Sequence, residues 1–485
     1  MLLIAGIAML QLLCVPGHYL GWAHDDVLYV LAARSLLTGA YTLGISPGLP
    51  PLTEITPGWP LLLAPAALAS GDYPAGYQLW SWLWLVLCSA LFWMWLRRRL
   101  SAPGAAAGAA LFALNPLVLS RSGVVMSEMP FLAVLMALLL LLESRRGLRG
   151  WQSGCGLGFA WLIRPGALAL FPAVWGWYLY RRRYRDAALS AAAALGTILL
   201  WQLWAALAGQ NMAEVGELAM TLPGQGAFGL VGTAIWNASH ALTLWGRTML
   251  PWAAPSASTA ALCVGVVLAL LCAAGARVLY VERRYETAMV YLACGVAMHL
   301  LWPWWYERYL VTLLPFLIWG LALALERFSH GRTAAIFAVL TILPLPVQLP
   351  RLMRGDRARQ RPELIRTYEW IRGNTPASAL ITSPFYGRDS FYTGRPFVPL
   401  PVSLAEPSRR ESLPGGLGNR GIDYVLWQGL PDLGSSLGER YYWSRRLRRF
   451  ETLLGEAGLP AVFSNTSEGA VLYRVPRAER GQKSH

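Results

Sequence analysis

Two adjacent carboxylates, Asp25 and Asp26, follow an apolar N-terminal segment and open an amphipathic stretch, GWAHDDVLYVLAARSLLTG (residues 21–39). A carboxylate at a membrane boundary can act as a general base. It would deprotonate a hydroxyl that arrives from water while a lipid-borne donor arrives from the bilayer. It can equally cap a helix, because an Asp near a helix N-terminus is stabilised by the macrodipole. Glu128, in RSGVVMSEMPFLA, is a second acid and almost alone in an apolar region. An ionisable group near a membrane surface marks a functional site by default. Ser127 and Glu128 also precede Pro130, which suits the first turn of a helix. Brought together, the two acidic sites would bind a divalent cation, with Asp25 and Glu128 as its ligands, or position an acceptor hydroxyl.

Two cations complete the set. Arg164 sits in the tight IRPG turn. Arg308 sits in HLLWPWWYERYLVTLLPFL, with His299, Trp304, Trp305, Tyr306 and Tyr309 near it in sequence. Trp and Tyr belong to interfacial belts and need no special function. An Arg beside apolar helices on the outer face suits a lipid phosphate. It can also pair with Glu307 or snorkel to the interface.

The elements that must position these residues are apolar. Of the 485 residues, 55% are hydrophobic in type and only 14% charged, and the mean hydropathy is +0.42. A soluble chain of this length needs more charge to cover its surface. Many apolar blocks approach the roughly 20 residues that cross a bilayer. The composition predicts a polytopic α-helical membrane protein.

The net charge of +15 does not point to nucleic acid. Most arginines outside the C-terminal region fall in short clusters between apolar blocks: Arg97–Arg99, Arg145–Arg149, Arg181–Arg185, Arg277–Arg284 and Arg327–Arg332. That is the positive-inside pattern. Six cysteines, at 14, 88, 155, 263, 272 and 294, lie in apolar blocks without CxxC spacing and read as apolar fillers. The N-terminal block lacks a basic flank and a small-residue cleavage site, so it reads as a retained first helix.

With the arginine clusters in the cytoplasm, the pattern gives about eleven transmembrane helices over residues 1–350. A first outer loop covers about 21–75, with an interfacial helix after Asp26 and another in EITPGWPLLLAPAAL. A second outer loop covers about 209–257, where VGTAIWNASHALTLWGRTML suits a helix lying on the membrane. From Arg351 the composition changes. RPELIRTYEWIRGNTP reads as an amphipathic helix with Leu364, Ile365, Tyr368 and Ile371 on one side. SALITS, DYVLWQ, PAVFS and AVLYRV read as strands, and RYYWSRRLRRFETLLGEAG as a helix. Residues 351–485 therefore form a small α/β domain, on the outer face by the span count. Asn237-Ala238-Ser239 and Asn465-Thr466-Ser467 match the N-glycosylation pattern, which often arises by chance.

Several motifs, in order, resemble a known family. The acidic pair followed by YVLAARSLLTG, then TPGWPLLLAP (56–65), SEMPFLAVLMALL, LIRPGALALFPA and ERYLVTLLPFL span roughly residues 20–320. They look like the GT-C superfamily of polyprenyl-phosphate-sugar-dependent glycosyltransferases, in the protein mannosyltransferase-like and aminoarabinose transferase-like branch (glycosyltransferase family 39 and relatives). The pair is Asp-Asp where Asp-Glu is common, and Thr56 stands where aminoarabinose transferases carry the lysine of a KPP motif.

The resemblance implies a GT-C fold with an outer α/β tail, and Asp25, of the acidic pair Asp25 and Asp26, as the catalytic base. It implies Glu128 in acceptor or metal binding, with Arg164 and Arg308, aided by His299, holding the donor phosphate. A sugar, hexosyl or pentosyl, would pass from a polyprenyl-phosphate donor to a hydroxyl on a lipid, glycan or protein acceptor, with inversion. A divalent metal is the candidate cofactor. The setting implied is the bacterial cytoplasmic (inner) membrane, with the site and C-terminal domain facing the periplasm or exterior. The competing class is a lipid or polysaccharide transporter or flippase. That class predicts ionisable residues at mid-bilayer and broken helices in related halves.

Overall fold

The apolar blocks fold as helices, interrupted where Pro, Gly and Arg accumulate. The computed structural model describes residues 2–15, 19–21, 23–42, 51–208, 226–250, 258–282, 285–302, 305–329, 331–354, 364–405, 412–428 and 444–476. Two compact units result. One joins Met1–His18 to Thr53–Gln360, and the other joins Tyr19–Leu52 to Arg361–His485. The acidic pair and the residues around it therefore group with the C-terminal residues.

Among the described residues of the first unit, four helices are long and apolar enough to cross a membrane: Pro74–Leu96, Tyr184–Leu207, Ser258–Val281 and Glu307–Phe328. Thr333–Ile342 and Leu345–Met353 add a fifth if the pair, bent by 44°, is one span. Other apolar blocks form helices of 10–17 residues, among them Ala102–Ala113, Glu128–Leu142 and Thr287–Leu301. Local chemistry shortens them. Ser101 accepts from Gly104 N at the start of Ala102–Ala113, and Asn115 with Pro116 starts a new turn just beyond it. The IRPG turn stops Gly150–Ile163, and a 3-10 turn at Pro165–Ala169 leads into Leu170–Tyr180.

Burial separates the roles of the long helices. Glu307–Phe328 is 78% buried and Tyr184–Leu207 only 11%, so the former is enclosed by protein and the latter faces outward. Gly226–Met249, expected to lie on the membrane surface, packs along Ser258–Val281. A side chain at Gly246 would strike the Ala261 carbonyl, and one at Gly265 the Leu242 carbonyl. Small residues allow this approach where packing, not water, drives association. Residues 209–225 and 251–257 of the expected second outer loop lie outside the described residues. All six cysteines are free thiols. Cys14, Cys88 and Cys272 are buried fillers, whereas Cys155 and Cys263 are exposed on their helices.

In the second unit, β1 (Ile381–Ser383), β2 (Phe397–Pro399), β3 (Tyr424–Trp427), β4 (Ala461–Asn465) and β5 (Ala470–Arg474) form one sheet in the order β2-β1-β3-β5-β4. β1 runs parallel to β2 and β3, and β5 runs antiparallel to β3 and β4. β2 was not expected, because prolines bracket it. It holds the sheet edge, where the missing N–H of Pro399 costs no ladder bond. Val425 of β3 shares one buried core cluster with Leu417, Phe450 and Leu454. In the helix Ile365–Asn374, Tyr368 and Ile371 point inward as expected, but Ile365 is exposed and Thr367 is buried instead.

The helix Asp25–Leu37 also belongs to this unit. Its face of Val27, Val30, Leu31, Ala32, Ala33 and Ser35 is buried. Amphipathicity alone would lay that face on a membrane. Here it packs on the helix Tyr386–Thr393, where Gly387 leaves room for Val27 and Leu28.

Candidate functional site

The acidic pair opens the helix Asp25–Leu37 out of a tight hook. Gly21 (φ +97°) and His24 (φ +61°) are both in the left-handed region. His24 stands at the cap position without a side-chain cap bond, so the carboxylates occupy the first turn itself. There they benefit from the macrodipole. The two differ in environment. Asp26 is 1% exposed. Its Oδ2 accepts from Gly21 N at 2.9 Å and its Oδ1 from Val27 N at 2.9 Å. Burial outweighs those bonds and pushes its carboxyl up to about 7. Asp26 therefore ties the hook together. Asp25 is only half-buried and is the more exposed of the two.

The other four candidate residues lie together in the first unit. Glu128 opens Glu128–Leu142 and is 1% exposed. Its Oε1 accepts from Arg164 Nη1 at 3.0 Å and lies 3.8 Å from Arg308 Nε. Arg164 leaves the end of Gly150–Ile163 with an extended backbone, and Arg308 lies in the first turn of Glu307–Phe328. Arg164 Nη1 also donates to Ser127 Oγ at 3.1 Å. Both guanidiniums face Tyr309, with Cζ atoms 5.2 and 5.7 Å from its ring centroid, and Arg308 also faces Tyr306 at 5.1 Å. The His299 ring lies 5.0 Å from that of Tyr309. Two guanidiniums thus confront one carboxylate, and two helix N-termini add positive potential. Among the described residues, the buried Oε2 of Glu128 meets no hydrogen-bond partner.

His299 holds the Gly295 carbonyl through Nδ1 at 2.7 Å. The carbonyl can only accept, so Nδ1 carries the proton, and the neutral ring presents Nε2 as an acceptor. A direct bond from His299 to a phosphate therefore requires the imidazolium form.

Three positioning features were not read from the sequence. Ser127 and Tyr309 complete the guanidinium cradle. Asn237 is fully buried, and its Nδ2 lies 3.3, 2.9 and 2.8 Å from the carbonyls of His299, Leu300 and Trp302. It thus closes the end of the helix carrying His299, and its buried amide is no glycan acceptor. Gly58, in the TPGWP motif, abuts the Leu162–Ile163 backbone, where an added Cβ would lie 2.5 Å from Ile163 N. That contact fixes the turn that presents Arg164. A polar residue inside an apolar helix was the one available clue to Asn237. Trp304, from the aromatic cluster, lies outside the described residues.

Among the described residues, no group of three or more His, Cys, Asp or Glu could hold a metal ion. Asp25 and Glu128 fall in different units. Glu128 already faces two guanidiniums, whose field opposes a dication, so its surroundings do not fit a metal ligand.

No family model matches the chain, and no curated protein is similar to it in sequence. Solved structures are similar in fold. Apo ArnT from Cupriavidus metallidurans is 14% identical with a TM-score of 0.61, covering 98% of this chain and 97% of that one. The same enzyme bound to undecaprenyl phosphate matches with a TM-score of 0.52 at 14% identity, covering 98% of each chain. The Archaeoglobus fulgidus oligosaccharyltransferase, in complex with Zn and sulfate, matches at 13% identity and a TM-score of 0.52, covering 88% of this chain and 68% of that one. All of these have the GT-C fold. This chain shares it, and it is a helical membrane protein.

Proposed function

We propose that the chain transfers a sugar from a polyprenyl-phosphate donor to an acceptor hydroxyl at the non-cytoplasmic face of the membrane. The observation that carries this reading is the pair of guanidiniums, Arg164 and Arg308, closed on the half-paired Glu128. Their positive charge, set beside apolar helices, suits a phosphate whose tail stays in the bilayer. The undecaprenyl phosphate bound by the ArnT neighbour supports the same ligand class.

The reaction asks for a base and for a charge that stabilises the leaving group. Asp25 is the proposed base. As the acceptor oxygen bonds to the anomeric carbon, its proton passes to Asp25, and the bond from that carbon to the phosphate oxygen breaks. The bonding electrons leave with the phosphate, whose growing charge is met by Arg164 and Arg308. The sugar passes through an oxocarbenium-like state, and a single displacement inverts the anomeric centre. Asp26 holds the hook, and His299 supports Tyr309 behind the guanidiniums. No step uses a metal.

This reading also assigns the topology. The shorter helices complete crossings begun by their neighbours, to about eleven spans, with the N-terminus inside and the C-terminal residues outside. The setting is a bacterial inner membrane. The acceptor is a lipid, glycan or protein hydroxyl, and the sugar a hexose or pentose.

Mass spectrometry of envelope lipids and glycans, with and without the protein, tests the proposal. One glycoform should vanish without the protein and return with the wild-type chain but not with Asp25→Asn. An envelope of identical composition in all three strains would refute it.

A further inference from the structure

We propose that the C-terminal α/β residues set the geometry of the base, with Arg388 and Asp389 as positioning residues for Asp25. This deepens the reading of Asp25 as base and rests on it.

The hook before Asp25 cannot be held by its own sequence. His24 has a positive φ, and a non-glycine residue there costs on the order of 1 kcal/mol or more unless its surroundings impose it. The helix Tyr386–Thr393 supplies those surroundings. The stem of Arg388 lies on Gly21, where a Cβ would fall 2.7 Å from Arg388 Cγ. Arg388 Nη1 donates to the Tyr19 hydroxyl at 3.4 Å, and the Tyr392 hydroxyl donates to Leu20 O at 3.0 Å. The His24 ring stands edge-on to Tyr386, 5.1 Å between centroids. The residues before Asp25 are therefore gripped from one helix face.

Arg388 is itself held. It is 6% exposed and its neighbour Asp389 is fully buried. Nε and Nη2 of Arg388 lie 3.1 Å from Asp389 Oδ1, and Nη2 also donates to Gln428 Oε1. Asp389 accepts further bonds from the Tyr368 hydroxyl at 2.7 Å, Ser383 Oγ at 2.6 Å and Gln428 Nε2 at 2.7 Å. Ser383 ends β1 and Gln428 follows β3. These are adjacent parallel strands, and the chain leaves β1 toward β2 on the opposite side. Such a divergence is where open α/β sheets ordinarily bind ligands. Here the crevice is filled by a buried ion pair that grips the hook. A buried ion pair is a poor source of stability. What these groups provide is one fixed geometry for the turn that carries Asp25.

The test uses the full chain in nanodiscs, with Arg388→Met and the double variant Arg388→Met/Asp389→Leu. The double variant leaves no unpaired buried charge. Because the Tyr368, Ser383 and Gln428 donors lose their acceptor, amide protection over β3 (Tyr424–Trp427) must stay at wild type for the comparison to count. Amide exchange over residues 19–37 should accelerate about 100-fold, while residues 307–328 keep wild-type protection. Undecaprenyl phosphate, used as a binding probe, should retain its affinity within about twofold, since one factor of two is below 0.5 kcal/mol. The glycoform made in cells should fall to the level of Asp25→Asn, and Arg388→Lys, which keeps the charge facing Asp389, should restore part of it. Unchanged protection over 19–37 would sink the grip, and faster exchange with full glycoform yield would sink its catalytic meaning. If Asp25→Asn itself retained the glycoform, the base assignment alone would fail, and the exchange measurement would still decide whether Arg388 holds the hook.

Discussion

Arg164 and Glu128, 36 residues apart, meet at 3.0 Å, Nη1 to Oε1. The turn that breaks one apolar block in two presents the arginine, and the start of the next helix presents the acid. Glu128 and a lipid phosphate would compete for the same guanidiniums. Glu128→Gln should therefore raise affinity for undecaprenyl phosphate several-fold, about 1 kcal/mol for a charge-assisted bond released. Arg164→Met should lower it and also destabilise the chain, because it removes one partner of a buried carboxylate. Lipid titration by native mass spectrometry reads both. A fall in affinity for Glu128→Gln would mean that the acid helps bind the ligand instead of competing for the cradle.

Asp25→Asn is expected to lower transfer about 10²- to 10⁴-fold, the range for losing a general base. The unfolding temperature should stay near wild type, because Asn is also accepted in a first helical turn. Asp25→Glu should keep part of the rate, since it moves the carboxylate without removing it. If Asp25→Asn unfolds at a much lower temperature, its loss of activity says nothing about a base.

Asp26 makes the hook sensitive to pH. Burial raises its carboxyl from 3.8 to about 7, so between these values the folded chain holds a proton that the unfolded chain has lost. Rising pH then removes stability: the contribution is full below about 4, declines through the window, and is gone above about 7. Protection of amides 27–31, corrected for intrinsic exchange, should decline over that range. Asp26→Asn should flatten the slope. A wild-type hook equally protected at pH 4 and pH 8 would contradict the assignment.

Charge was the legible part of the site. Glu128, Arg164 and Arg308 stand out because ionisable residues are rare in apolar blocks, and the structure gathers all three with His299 around Tyr309. The GT-C fold was legible in the same way, from ordered motifs around those charges. Long-range packing was not legible. The face of Asp25–Leu37 is amphipathic whether it meets a membrane or the helix Tyr386–Thr393, and periodicity alone cannot separate the two. Helix lengths were overread for a related reason. Hydropathy continues across Asn115-Pro116, but the helix Ala102–Ala113 ends before it, whereas the turn expected at Arg164-Pro165 is present.

A metal test separates two readings of Glu128. Its two guanidinium neighbours already supply positive charge, so EDTA dialysis should leave transfer unchanged. Loss of transfer, restored by Mn2+ or Zn2+, would instead make Asp25 and Glu128 metal ligands.

Asn237 links the helix Gly226–Met249 to the cradle. It is fully buried and spends its amide on the carbonyls of His299, Leu300 and Trp302. Asn237→Leu fills the space but leaves those carbonyls unsatisfied, at a cost of about 1–3 kcal/mol. In the first unit, with more than 250 residues, that corresponds to a fall in unfolding temperature of about 2 °C or less per kcal/mol. The freed segment leads to Arg308, so affinity for undecaprenyl phosphate should drop with it, although Asn237 carries no charge to offer a phosphate. Expression in a glycosylating host should add no glycan mass at Asn237, because its amide nitrogen faces carbonyls and not solvent. A glycan found there, or wild-type lipid affinity in Asn237→Leu, would show that the helix carrying His299 does not depend on this residue for its closure.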